Sequence, residues 1–332
     1  MTGAARAAAP GVVAVRVPAT SGNLGPGFDT LGLALALHNR FQGRPARRTT
    51  LAYSGSESGG LAGEDPRESL LLRAIGLAYR HRGLKPPPFE LEVECRVPPA
   101  RGLGSSATAV IGGLMLASRF LEPHLDRQEL LDLSTRLEGH PDNVAAAIAG
   151  GLTASAVGAG GRVLLAKLRL PASVGVLAVI PEYRLSTAQA RSVLPASYSR
   201  ADAVHNLSRV ALLCGSLATG QTTDLWEALD DRFHQPYRSR LVRGFDDLLA
   251  TARAEGALGA FLSGAGPTVL VLAPARARGR LAGALLNALV THGVAARVEA
   301  LGVEAAGARY TRAFQRIENR ELRIEERETI RG

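Results

Sequence analysis

Lysine is nearly missing from this 332-residue chain: Lys85 and Lys167 are the only two among 39 Lys and Arg residues, which leaves 37 arginines. A phosphate loop of the GxxxxGK[ST] kind is thereby excluded, because that pattern occurs nowhere and neither lysine lies near a glycine loop. Cysteine is just as scarce. Cys95 and Cys214 have no CxxC pattern and no neighbouring histidine, the usage of a reducing compartment with both thiols in the core. No apolar run reaches the roughly 18 residues of a membrane span, and MTGAARAAAP at the start lacks the apolar stretch of a secretory signal. A soluble, cytoplasmic protein with no membrane partner is expected.

Acidic residues are outnumbered 30 to 39, giving a net charge of +9 and a pI of about 10.3. Such an excess marks a nucleic-acid partner when it clusters on one face. Here the arginines run from Arg6 to Arg331, so the charge reads as composition and no nucleic-acid partner is expected.

What the chain has is apolar mass and glycine. At 46% hydrophobic and 21% charged residues it can bury a large core, and its length suits two domains. The valines of Val12–Val17 predict a strand feeding a turn-rich loop over Pro18–Asp29, followed by a buried run over Leu31–Leu37. Over Phe89–Val97 the apolar residues Phe89, Leu91, Val93, Cys95 and Val97 alternate with Glu90, Glu92, Glu94 and Arg96. This period of two predicts a strand with one wet face, which favours an antiparallel sheet. Helical patterns cover Ala107–Phe120, 121–149 with a break at Gly139–Pro141, Ala201–Leu217, Leu241–Glu255 and Arg280–His292. Gly150–Gly161 reads as turn. Val174–Ile180, Ala260–Leu262, Val269–Leu272 and Ala295–Leu301 read as strands, with SGAGPT turning between the middle two. Residues 309–332 carry seven arginines and five glutamates and read as a solvated, flexible extension.

GLGSSA (Gly102–Ala107) matches the dinucleotide pattern GxGxxA, but its context does not. Pro98 and Pro99 separate strand from loop, the strand is half wet, and the downstream acids Glu122 and Asp126 fall in helical sequence. What is left is a glycine loop at a helix start, with Ser105, Ser106 and Thr108 beside it, where backbone N–H groups can meet an anion. A helix N-terminus contributes only about 0.3 to 2 kcal/mol to an anion, so a nucleotide here calls for Mg²⁺ with a carboxylate and hydroxyls.

Four motifs in order, PATSGNLGPGFD (18–29), PPARGLGSSAT (98–108), LEGHPDNVAAAIAGG (137–151) and FLSGAGPT (261–268), resemble the GHMP family of small-molecule kinases. With PEYRLSTAQARSVLP (181–195) and HQPYR (234–238), the first and third are similar to its homoserine kinase branch. The resemblance covers about residues 12 to 305. It implies an α+β fold of two domains: a ribosomal S5-like domain over 1–165 with a left-handed crossover, and an α+β domain over 166–308. The charged tail occupies 309–332.

The implied reaction takes ATP and L-homoserine, and the family reading permits a homodimer without requiring one. By resemblance, Asn23 and Asp29 hold the ammonium, while Arg191 and Arg238, with Thr187 beside them, hold the carboxylate. An arginine fork suits a carboxylate because it bonds at two points. Arg101, Gly102, Leu103, Gly104, Ser105, Ser106 and Ala107 wrap the ATP phosphates, and Ser106 and Glu138 hold Mg²⁺. Asp132 competes with Glu138 for that role, because the spacing to the histidine departs from other members. His140, Asp142 and Asn143 line the reacting hydroxyl, and whether Asp142 or Asn143 faces it stays open. Ser263, Gly264, Ala265 and Gly266 form the last motif's loop, and Ser69 stands where the family often has an adenine-side Asn. Two rivals remain: a sibling kinase for mevalonate or shikimate, neither of which carries an ammonium, and a basic nucleic-acid-binding protein of S5-like fold, whose binding would collapse with salt.

Overall fold

The computed structural model describes residues 11–60, 69–314 and 321–323. β1 (Val13–Gly22) and β2 (Leu31–Pro45) pair antiparallel and are followed by β3 (Thr50–Ser54), α1 (Leu70–His81) and β4 (Phe89–Glu94). Next come α2 (Ser105–Ser118), α3 (Arg127–Glu138), α4 (Asp142–Ala149), β5 (Leu152–Val157) and β6 (Val163–Leu168). The second half runs β7 (Val174–Pro181), α5 (Thr187–Ser192), α6 (Arg200–Thr219), α7 (Leu225–Ala228), α8 (Gln235–Arg238) and α9 (Phe245–Ala254). It closes with β8 (Gly259–Leu262), β9 (Val269–Pro274), α10 (Arg278–Val290) and β10 (Ala296–Leu301), after which β11 (Arg309–Thr311) and β12 (Glu321–Arg323) return to the first sheet.

That sheet has the order β11-β1-β2-β4-β3-β12, with β5 and β6 continuing from the start of β2. Every pair in it is antiparallel except β3 with β4. The alternation expected around β4 is present: Phe89, Leu91 and Val93 are buried against α1 and α2. Its glutamates face β2, where Arg44 bonds Glu90 at 2.8 Å and Gln42 bonds Glu92 at 2.7 Å. The strand stops short of the predicted Val97. There the Asn39 Oδ1 accepts the N–H groups of Arg96 and Val97, both at 2.8 Å, and draws the chain off the ladder.

Three elements depart from the sequence reading. β1 runs on through Gly22, taking half of the predicted loop into a strand, and its register shifts at Pro18/Ala19 because proline offers no ladder N–H. The 150–161 turn contains β5, whose small residues mask its pairing with β2 and β6. The charged tail does not come free at 309, since Arg309–Thr311 pairs with Arg16–Ala14 and the Tyr310 hydroxyl donates to the Met115 carbonyl at 2.9 Å. Residues 315–320 and 324–332 of that tail lie outside the described residues.

The second sheet, β10-β7-β9-β8, is wholly antiparallel and covered on both faces. Along β7, Val176, Ala178 and Ile180 face a core shared with β1, β2 and α6, whereas Leu177 and Val179 face α9 and α10. This is why β7 reads as a continuous apolar run. The shared core joins Ala19, Leu33 and Leu103 of the first half to Phe261 and Leu270 of the second, so the two halves meet through packed side chains.

α3 is pinned at its start by a capping box between Asp126 and Glu129, and the Glu129 carboxylate also takes both terminal nitrogens of Arg82 at 2.6 and 2.7 Å. The bond from Arg82 draws the Glu129 pKa down from 4.5 to about 2. A depressed carboxylate pKa contributes stability above its unfolded value and loses it as pH falls through the folded value. Glu129→Gln is therefore expected to flatten the fall of Tm between pH 4.5 and about 2, measured by thermal melts against the wild type. Parallel melting curves for the two proteins would contradict this.

Candidate active site

A cleft of about 420 Å³ opens where the two halves meet, and the first loop, the glycine loop, the start of α4 and α5 all border it. Its floor depends on two glycines. Gly22 and Gly32 lie directly opposite each other in the β1–β2 register, and the dent they leave receives the first turn of α4. A Cβ on Gly22 would collide with the Asp142 carboxylate, and one on Gly32 with the Asp142 carbonyl.

Asp142, 1% exposed, is enclosed in that dent. Its Oδ1 stands 2.6 Å from His140 Nδ1 and accepts from the Asn143 N–H at 2.7 Å and the Asn143 amide at 3.1 Å. Asn143 in turn accepts from the Thr20 hydroxyl at 2.8 Å. Burial acts to lower the His140 pKa, but the hydrogen bond and charge of Asp142, with the charge of Asp29, outweigh it and the net shift is upward.

Gly102 and Gly104 take positive φ, 76° and 67°, as the chain turns into α2. A side chain at Gly102 would strike the Ser263 carbonyl, and one at Gly104 the Thr20 hydroxyl. At the first turn of α2 the Ser106 hydroxyl donates to Glu138 Oε2 at 3.1 Å. Burial pushes the Glu138 carboxyl above its usual range, against the pull of His140 and Ser106. Asp132 is committed elsewhere, accepting from Gln128 at 2.9 Å and from the Val163 N–H at 2.7 Å.

Elsewhere in the cleft, Asp29 accepts from Arg191 at 2.7 Å, and the guanidinium groups of Arg191 and Arg238 lie 5.6 and 5.3 Å from the Phe28 ring centre. Arg238 is 2% exposed and bonds the carbonyls of Ala190 at 3.0 Å and Gly264 at 3.1 Å. Burial, then the charge of Arg191, lower its pKa to about 10, still charged at neutral pH. Asn23, in the left-handed region at φ 73°, spends its side chain on the turn: Oδ1 accepts the Asp29 N–H at 3.0 Å and Nδ2 donates to the Gly264 carbonyl at 3.0 Å. The last motif closes the joint, because Ser263 donates to Gly102 at 2.6 Å and Gly264 N–H to the Gly22 carbonyl at 3.1 Å.

The chain matches the GHMP kinases N terminal domain over residues 69–151 and the GHMP kinases C terminal domain over 216–291. It is 41% identical over 297 residues to the homoserine kinase of Desulfitobacterium hafniense, covering 90% of this chain and 99% of that one. The chain belongs to the GHMP kinase family. Another homoserine kinase, from Deinococcus radiodurans, is 42% identical over 88% of this chain and 95% of its own. The crystal structure of homoserine kinase from Cytophaga hutchinsonii shares the GHMP kinase fold, with a TM-score of 0.79 at 24% identity over 92% of this chain and 98% of that one.

Of the residues expected at this GHMP kinase site, Asn23, Asp29, Gly102, Gly104, Ser105, Ser106, Glu138, His140, Asp142, Asn143, Thr187, Arg191, Arg238, Gly264 and Ala265 all border the one cleft. Arg101 borders it too, with its guanidinium bonded to the carbonyls of Pro181 at 3.0 Å and Glu182 at 2.6 Å. Leu103 and Ala107 have fully buried side chains and can present only backbone; Ser263 and Gly266 stand behind the wall. The sequence reading missed Leu70, Leu137 and Ser186, which border the cleft, and Thr20, which supports Asn143 from behind. Leu137 and Ser186 sit inside motifs already named and could have been taken with them, as could Thr20, whereas Leu70 looks like any core leucine.

Proposed function

We infer that the chain is a homoserine kinase, transferring the γ-phosphate of ATP to the hydroxyl of L-homoserine to give O-phospho-L-homoserine and ADP, a step toward threonine. The observation that carries this reading is the charge layout of the cleft. A carboxylate, Asp29, and two guanidinium groups, Arg191 and Arg238, gather around Phe28 in the same cleft that a glycine loop on a helix N-terminus borders. A zwitterion with a hydroxyl arm complements that set of groups, and the relatives at 41 and 42% identity are themselves homoserine kinases.

Phosphoryl transfer needs positioning and charge neutralisation more than covalent chemistry. The N–H groups of the first turn of α2 lack helical partners and can bond phosphate oxygens. Ser106 and Glu138, a hydroxyl and a partly desolvated carboxylate in contact, fit a hard divalent cation, and they would hold Mg²⁺. When bound, that ion neutralises phosphate charge. In this reading Asp29 binds the ammonium, Arg191 and Arg238 the carboxylate with Thr187 nearby, and Asn143 adjoins the hydroxyl.

Asp142 serves here as the residue that orients His140 and Asn143, since its Oδ1 already faces three donors. The hydroxyl proton then leaves to phosphate or water. Asp142→Asn is expected to lower kcat less than about a hundredfold, below the range typical for loss of a general base. Its pH profile should shift any limb owed to His140 to lower pH, because Asp142 holds that pKa up. A fall of several hundredfold would make Asp142 the base.

The assignment is tested by coupled ADP release with L-homoserine, L-serine, mevalonate and shikimate. Homoserine should be preferred by a wide margin. Preference for mevalonate or shikimate would refute the reading.

A further inference from the structure

Behind the carboxylate end of the cleft lies a buried polar assembly that the reaction as described does not use. The Asp231 carboxylate, 4% exposed, accepts from the backbone N–H groups of Phe233 at 2.9 Å, His234 at 2.9 Å and Gln235 at 2.6 Å, and from the Asn206 amide at 2.8 Å. Asn206 also donates to the Pro26 carbonyl at 3.1 Å. With four donors on one carboxylate, the start of α8 is fixed. His234, 0% exposed, is thereby held with Nε2 at 2.8 Å from the Gly25 carbonyl and Nδ1 at 3.4 Å from Arg238 Nη1. The Phe28 ring stacks on the imidazole at 5.5 Å.

Chemistry fixes the tautomer. A carbonyl can only accept, so Nε2 must carry the hydrogen, and in the neutral ring Nδ1 is then an acceptor, which matches the guanidinium donor in front of it. Burial keeps the ring neutral despite the nearby Asp231 charge.

We propose that His234 is a positioning residue that ties the Gly25–Phe28 loop to the Arg238 guanidinium and so sets selectivity for a substrate carrying an α-carboxylate. Arg238 has fixed bonds to Ala190 and Gly264 through Nε and Nη1, and no described residue bonds its Nη2. The third bond, to His234, sets the tilt of the guanidinium plane, and the same imidazole supports the loop that bears Asp29. One ring thus registers the carboxylate grip against the ammonium grip. The inference rests on the homoserine reading of the site, with Arg238 as carboxylate partner.

Three variants separate the two bonds. Asn at 234 offers a carbonyl near the Nδ1 position, Gln offers an amide N–H near the Nε2 position, and Ala offers neither. Steady-state kinetics would be measured with ATP, L-homoserine and homoserinol, the same amino alcohol without its carboxylate. His234→Ala is expected to raise the homoserine KM about tenfold, with the ATP KM within about twofold of wild type, and to reduce preference for homoserine over homoserinol by a similar factor. His234→Asn should restore that preference, and His234→Gln should not. Unchanged preference in His234→Ala, or equal preference in the Asn and Gln variants should the Ala protein not fold, overturns the proposal. Arg238→Ala serves as the reference: if it leaves the preference untouched, the carboxylate reading itself falls. A responsive Arg238→Ala with an indifferent His234→Ala overturns the proposal alone.

Discussion

Gly22→Ala is expected to lower kcat about a hundredfold or more, because a displacement of about 1 Å at a reacting centre can cost that much. The Cβ would collide with the Asp142 carboxylate and stand 2.5 Å from Asn143 Nδ2. Gly22 is not among the glycines with positive φ, so an alanine is free of backbone strain there and the effect is steric. Backing the helix away to relieve the collision would stretch the bond between Asn143 and Thr20. Overpacking of this kind costs typically about 1 to 3 kcal/mol, so a lower Tm should accompany the loss. The ATP KM should stay near wild type, because Gly102–Ser106 is not touched. A variant with wild-type kcat would mean that α4 is not seated as described.

The Gly22–Gly32 dent also shows where sequence reading stops. The motifs carried most of the cleft because each is a short continuous string whose residues reach the site together, as in HPDN of LEGHPDN. The pairing of Gly22 with Gly32 depends on strand register, and the register depends on the shift at Pro18/Ala19, which no local pattern announces. Glu138 was the carboxylate assigned to the metal in sequence, with Asp132 the competitor that spacing left open. They part only in space, where Asp132 holds the N–H of Val163 on β6 and Glu138 meets Ser106 across 32 positions of chain. The bonding of the Arg101 guanidinium was hidden for a related reason. Its position beside the loop is local, but the carbonyls of Pro181 and Glu182 that claim it come from the other half of the chain. Fold class was more legible, since alternation in β4 and the doubly apolar β7 state directly how many faces each sheet covers. β5 was lost because a strand of small residues after two glycines looks like a turn.

Arg191→Ala is expected to reduce kcat/KM for homoserine about ten- to over a hundredfold, the equivalent of a charge-assisted bond of about 1.5 to 3 kcal/mol, while the ATP KM stays put. The two arginines proposed to hold the carboxylate should respond differently in stability. The Arg191 side chain is 38% exposed and bonded only to Asp29 among the described residues, so its removal strips no buried carbonyl of a donor and should leave Tm nearly unchanged. Arg238→Ala would leave the Ala190 carbonyl without its side-chain donor and the Gly264 carbonyl with that of Asn23 alone, and should lower Tm as well as homoserine use. Arg191→Lys should recover only part of the loss, since an ammonium cannot reproduce the planar two-point bond. Kinetics with each substrate varied in turn, alongside thermal melts, read all of these at once. An equal loss toward ATP and homoserine would place Arg191 on the phosphates instead of the carboxylate.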